Sequence, residues 1–472
     1  MDYKFSKEKF IESFNAKDTQ SRSVDSMRLT HRADKQFKLF PYKASGKEQA
    51  PIVTELEDVV SGFFREGLNK KTDPIEFDVL CSDILEEVEV NEDDLDYFKD
   101  MIQNLFFIGN NFIADNIGFY PYQTTIYNRS VENLAHFLFS IFGIDDLDCQ
   151  KIKDAKDNYK FNVLEELVIK VIEAKKVSEA DKHSPYFVIK TDIQDKFKDD
   201  FYFMLESGMT SLEDLSNLFA VYYFYYVSQT CIILDNFCTG RRDEKGEVNF
   251  YYALDWEKVG KNRLCCVQGW ELLQRSIGHM FSHAVTLEVL NQTLEEEMYD
   301  YIAFGEMAKE SEETDAAIAA EIASAESVYC YYVGDYKEFK SIPFQTKNSK
   351  TEGAICHLYK CVEAQFLNTV RKRANQFYNE KFLEFCKSRW VKNRKKSGLV
   401  LNLTERDIIF LTKICLRNKE KIRLNDLFKE YEKRGIYLDS TSKEYLQEFF
   451  TKLNLIDKKS DSGDAQYVKR IL

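Results

Sequence analysis

Apolar residues recur along most of this chain at intervals of three and four, the spacing that lines one face of a helix. Ile52, Leu56, Val59, Val60, Phe63 and Phe64 form one such stripe. Leu164, Leu167, Val168, Val171 and Ile172 form another, with Glu165, Glu166 and Lys170 on the opposite face. Thr210 stands three residues before Glu213, the spacing of a capping box, and opens the next helix. From Asn217 to Leu234 no residue is charged. The tyrosines of that run, with Ser228, Gln229 and Thr230, would lack hydrogen-bond partners in lipid, so it predicts a helix buried in protein, not a membrane span. Thr314 to Tyr332 is rich in alanine and glutamate and reads as a helix by propensity alone. A polar loop, Thr239 to Gly246, precedes the strand-like run Phe250-Tyr251-Tyr252. Residues 355–396 read as one further helix that becomes basic toward its end, and Ser397-Gly398 breaks it.

The last stretch, 397–472, carries its own pattern. Thr404 caps a helix whose apolar side is Ile408, Leu411, Ile414 and Cys415. After the short run Lys421 to Leu424, Asn425 caps a second helix with Leu427, Phe428 and Tyr431, closed by Gly435 as a left-handed residue. Thr441 and Glu444 have capping-box spacing before a third helix carrying Leu446, Phe449, Phe450 and Leu453. Leu455-Ile456 starts a strand, Ser460 to Asp464 is a turn, and Gln466 to Leu472 returns as a second strand. Helix, short strand, helix, helix, hairpin is the order of a winged helix-turn-helix. The chain therefore divides into a polar arm (1–50), an acidic helical body ending in a basic helix (51–396) and a winged helix-turn-helix domain (397–472). In the arm, Arg22, Arg28, Arg32, Lys35 and Lys38 are scattered among polar residues. An extended arm that orders on a partner and a plain solvated tail fit it equally.

Composition supports a mainly α fold, since glycine (18) and proline (6) are scarce for 472 residues. Charge adds a polarity. Residues 387–472 hold 21 Lys and Arg against 12 Asp and Glu, a net +9, so residues 1–386 carry −23 in a chain whose net charge is −14. Phosphate contact is then expected only near the C-terminus. Eleven cysteines, irregularly spaced in apolar runs, fit reduced buried thiols. With an N-terminus too polar for a signal peptide, this points to a cytoplasmic protein.

The candidate chemistry is thin. Ser45-Gly46-Lys47-Glu48 lacks the upstream glycine and the following hydroxyl of a phosphate-binding loop, so ATP use is not expected. His279 and His283 have the i, i+4 spacing of zinc ligands, but Met280 stands where a general base would be and no third ligand is evident. Cys356, His357 and Cys361 form a second loose cluster. Both groups read as core or helix-packing residues, and the acids from Glu86 to Asp96 as a solvated face. No metal, cofactor or catalytic residue is expected. The residues best suited to DNA phosphates are Arg389, Lys392, Arg394, Lys395 and Lys396 in the basic run, Lys443 on the third helix, and Lys458, Lys459, Lys469 and Arg470 in the wing. Glu444 and Glu448 make the third helix a poor reader of bases, so docking on protein stays open beside DNA contact.

The run Tyr252-Ala253-Leu254-Asp255-Trp256-Glu257-Lys258, then Gly269-Trp270 and Phe281-Ser282-His283-Ala284, resembles the DptG family, the G subunits of DNA phosphorothioation-dependent restriction systems. The end, Lys459 to Lys469, is similar to that family's C-terminus. The resemblance implies a non-catalytic subunit of a bacterial restriction complex that attacks DNA lacking phosphorothioate, with DptF-like and DptH-like ATPase subunits and double-stranded DNA as partners. A metal-dependent nuclease and a stand-alone winged-helix regulator are the alternatives.

Overall fold

The computed structural model describes residues 3–17, 29–30, 33–71, 73–123, 128–174, 178–179, 183–458 and 466–471. It is mainly helical. Its axis is the uncharged run, which forms the helix Leu212–Asp235 and is buried from Val221 through Leu234. The cap lies one residue later than the spacing suggested: Ser211 accepts from the Asp214 N–H. The tyrosines and Gln229 of this helix find protein partners, which lets it sit in a core. Tyr222 donates to Asp200 (2.8 Å), Tyr225 to Glu247 (2.6 Å), and Tyr223 meets Tyr42 (2.7 Å). Gln229 exchanges hydrogen bonds with both backbone groups of Val248. Among the described residues no helix is long and apolar enough to cross a membrane.

Glu57–Gly67, Arg129–Ile141 and Ile193–Ser207 surround the N-terminal half of this axis through a knot of phenylalanines, with Phe142 and Phe197 stacked at 3.6 Å. Trp270–Ile277, Met280–Leu290 and Lys372–Arg389 flank its other side. A smaller core lies apart, built by Phe77–Glu87, Leu95–Phe106 and Val163–Ala174 around Phe112 and Phe119.

The first fifty residues are not an extended arm where they are described. Phe10, Phe14, Phe37, Leu39 and Phe40 are fully buried in the main core. Two buried carboxylates make this possible by taking up backbone N–H groups. Glu288 accepts from Lys35, Gln36 and Phe37, and Asp34 accepts from Leu39, Phe40 and the Tyr378 hydroxyl. Arg22, Arg28 and Arg32 lie outside the described residues.

The single helix expected over 355–396 is two helices, Lys350–Asn368 and Lys372–Arg389. The second stops because Trp390 turns inward against Phe224 and Tyr252, leaving its side chain 1% exposed. The chain then becomes extended. Val391–Asn393 pairs antiparallel with Leu399–Leu403, which lies parallel to Ala253–Leu254 of the body. Ser397-Gly398 is thus part of a hairpin turn rather than a linker, with Gly398 at φ +79°.

Beyond the hairpin come Glu405–Leu416, the strand Lys421–Arg423, Leu424–Glu432, Ser440–Lys452 and the strands Ile456–Lys458 and Gln466–Lys469, in the anticipated order. The last strand is central in an antiparallel sheet. Thr404 caps as expected, in a reciprocal box with Asp407, and Gly435 is left-handed at φ +75°. The other two caps differ: Arg423 takes the place expected for Asn425 without a side-chain bond, and Asp439, not Thr441, accepts from the Ser442 N–H. One continuous core runs from Tyr3 to Val468, so these elements share the interior of the body.

Candidate functional site

The cations selected from sequence divide sharply by what they touch. Arg389 donates to Asn217 (2.6 Å) and Asp407 (2.7 Å) and lies over the ring of Trp390. Lys392 is paired with Asp255, whose carboxyl it holds below the usual range. Arg394 donates to the carbonyls of Leu254 (2.6 Å), Asp255 (3.2 Å) and Glu257 (3.4 Å) and to Asn402. Lys392 and Arg394 are joints between the final hairpin and the loop that follows the strand Ala253–Leu254, while Arg389 ties the end of its helix to the central helix and to Glu405–Leu416. Lys392 and Arg394 are not a solvated helix end, because the helix stops at Arg389. Lys443 is engaged too, paired with Glu432 at 3.1 Å and placed over the Phe428 ring. Lys395, Lys396, Lys469 and Arg470 are exposed. Lys458 contributes backbone to the hairpin, and the side chain of Lys458 and all of Lys459 lie outside the described residues. The third helix shows Glu444 and Glu448 to solvent, as its sequence anticipates.

The histidine pair has gained the third group that its sequence did not reveal. Asp235, last residue of the central helix, places Oδ1 2.9 Å from His279 Nδ1 and 3.0 Å from His283 Nε2. The three potential ligand atoms lie within 4.8 Å of one another. His283 is buried, stacked on Tyr359 at 4.4 Å, and its Nδ1 meets the Tyr301 hydroxyl at 3.1 Å. His279 faces a cavity of about 510 Å³ lined also by Glu271, Arg275, Ser282 and Glu363. Burial pushes the Asp235 carboxyl up, but hydrogen bonds from His279 and His283 outweigh it and hold it well below the carboxylate range. The same hydrogen bond raises His279 against the opposing effect of burial, whereas in His283 burial wins and lowers it. One carboxylate thus splits two imidazoles into a more basic, accessible ring and a less basic, buried one. Such a group can hold and exchange a proton at the cavity wall. Asp235 lies 44 and 48 residues from its partners, so spacing could not signal it.

The acids from Glu86 to Asp96 straddle a helix end and a short 3-10 turn, and Glu86, Glu87, Glu89, Glu92, Asp93, Asp94 and Asp96 are exposed, as a solvated face should be. No family model matches the chain, and no curated protein matches it either.

Proposed function

We propose that the chain is a non-catalytic assembly subunit of a DNA-acting restriction complex, of the kind its resemblance to DptG implies, whose C-terminal elements act as a winged helix fixed rigidly to a helical body. The observation that carries this reading is the use made of the basic residues. Of the ten cations selected from sequence, Arg389, Lys392, Arg394 and Lys443 serve joints within the chain, and four are exposed among the described residues. Residues 1–386, at net −23, repel DNA, so weak contact at Lys395, Lys396, Lys469 and Arg470 would serve to position DNA beside partner subunits, not to capture it alone. The ATP-driven work falls to the DptF-like and DptH-like partners.

Two measurements test this. Co-expressed with both ATPases, the full chain is expected to co-purify with them; a chain that stays monomeric would end the proposal. Replacing Lys395, Lys396, Lys469 and Arg470 together by Gln should weaken duplex binding by the complex and flatten its dependence on salt, by about 0.9 in log–log slope for each DNA phosphate that is no longer neutralised. Unchanged affinity and slope would mean that this face meets protein. The group at Asp235, His279 and His283 beside a polar cavity favours a second reading, metal-dependent cleavage of DNA by the chain itself. Cleavage of unmodified duplex by the isolated chain with a divalent metal, abolished by His279→Gln, would establish it in place of the first.

A further inference from the structure

Two parallel neighbours, the helices Glu312–Tyr332 and Lys350–Asn368, bring three metal-ligating side chains together and hold a fourth beside them. Their registration is fixed at both ends. Asp315 accepts from the Lys350 and Thr351 N–H groups, and further along Tyr329 donates to Gln365 at 2.8 Å. Between these ties, Glu326 and Cys330 stand one turn apart on the first helix, and His357 and Cys361 one turn apart on the second. Residues spaced i, i+4 share a helix face, so both pairs look into the same seam.

The atoms converge there. His357 Nδ1 lies 2.7 Å from Glu326 Oε2 and 4.0 Å from Cys361 Sγ, and the three ligand atoms fall within 4.8 Å of one another. Cys330, half-buried one turn beyond Glu326, lies beside Cys361 but outside this group, and a turn of its side chain would bring its sulfur in as a fourth ligand. His357 Nε2 faces the Ile342 carbonyl at 3.1 Å, supplied by the segment that returns between the two helices. That contact is the usual outer support of a metal-bound imidazole: it fixes the ring and leaves Nδ1 to bind. Both ring nitrogens therefore face oxygen acceptors, while a neutral imidazole has one N–H. A second ring proton satisfies both, and so does a cation between Nδ1 and the carboxylate.

We propose that Glu326, Cys330, His357 and Cys361 form a four-ligand site for Zn²⁺ that ties these two helices together. Ordinary zinc bond lengths in a tetrahedron require about 3.4 Å between nitrogen and oxygen ligands and about 3.6 Å between nitrogen and sulfur. The observed 2.7 and 4.0 Å reach those values by side-chain shifts of well under an ångström each. Two thiolates and an imidazole select zinc over magnesium or calcium. With Cys330 turned in as the fourth ligand no position stays open, which makes the site structural and not a hydrolytic centre. Cys356, beside His357 in sequence, takes no part.

The full chain, purified under reducing conditions and reconstituted with Zn²⁺, is expected to hold about one zinc per chain by elemental analysis. Its Co²⁺ form should show thiolate-to-metal charge-transfer absorption. Cys330→Ser with Cys361→Ser should lower zinc content at least tenfold and remove that absorption, while His279→Gln, at the other cluster, leaves both unchanged. Chelation should lower the melting temperature of the parent chain and leave that of the double variant where it is, which keeps the test readable even if the variant is less stable. The proposal fails if the reconstituted parent holds less than about a tenth of an equivalent. It fails equally if zinc survives the double cysteine substitution, or is lost from His279→Gln instead.

Discussion

Single residues decide most where a charge is buried. Asp200, fully buried, accepts from two nitrogens of Arg434 (2.6 and 2.7 Å), from Arg417 (3.1 Å) and from Tyr222 (2.8 Å), and so fastens the C-terminal elements to the helix Ile193–Ser207. Asp200→Ala would leave a nearly buried guanidinium without its main carboxylate. We expect a loss of about 3–5 kcal/mol by urea denaturation, and a loss below about 1 would show that the pair does not matter. Asp34 offers a test by pH. Burial pushes its carboxyl up to about 7 despite the hydrogen bonds it accepts. Between about pH 4, where an exposed Asp ionises, and about pH 7 the folded chain keeps a proton that the unfolded chain has lost. Stability associated with the neutral carboxyl is therefore complete below that window and is lost as pH rises through it, by about 1.4 kcal/mol per pH unit. Asp34→Asn should lose less stability than the parent between pH 5 and pH 8 in thermal melts. Some dependence should remain, because burial raises Glu288 in the same direction. An identical fall in both proteins would contradict the assignment.

At the scale of elements, helix ends are set by what the next residue must do. Gly208 and Gly435 both follow helices at φ +75°, where an L side chain costs about 1–2 kcal/mol. Their surroundings differ. A Cβ at Gly208 would meet open space, but one at Gly435 would come within 2.6 Å of the Tyr225 ring. Gly435→Ala should therefore cost about 1–3 kcal/mol more than Gly208→Ala by chemical denaturation. Equal losses would mean that Tyr225 moves aside freely. The sequence marked Gly435 as a helix stop correctly, since the signal is local. It did not mark the end at Arg389, because what stops that helix is the burial of Trp390 against Phe224 and Tyr252, residues more than a hundred positions away.

For the whole molecule the consequence is cooperativity. The final elements are joined to the body by the parallel pairing of Ala253–Leu254 with Asn402 and Leu403, by Arg263 on Asp439 (2.6 Å), and by Trp256 stacked on Phe449 at 4.6 Å. The main core is shared across them. Residues 397–472 expressed alone should therefore lack native helicity by circular dichroism. The full chain should lose these elements in the same calorimetric transition as the central helix. A folded fragment, or a separate early transition, would show an autonomous domain.

The sequence by itself determined what depends on near neighbours: the helical class, the buried course of the uncharged run, the cap at Thr404, the turn at Gly435, the order of the C-terminal elements and the solvated acids after Glu86. Periodicity, capping chemistry and glycine's left-handed freedom act within a few residues, so one sequence suffices to read them. Tertiary structure alone decided which polar residues meet. It buried Phe37 and Leu39 of a seemingly polar arm beneath Asp34 and Glu288, found partners within the chain for Arg389, Lys392 and Arg394, and brought Asp235 to two histidines and Glu326 to His357 and Cys361. A charge has no local period, and its partner is chosen by whichever distant element the packed core places within a few ångströms.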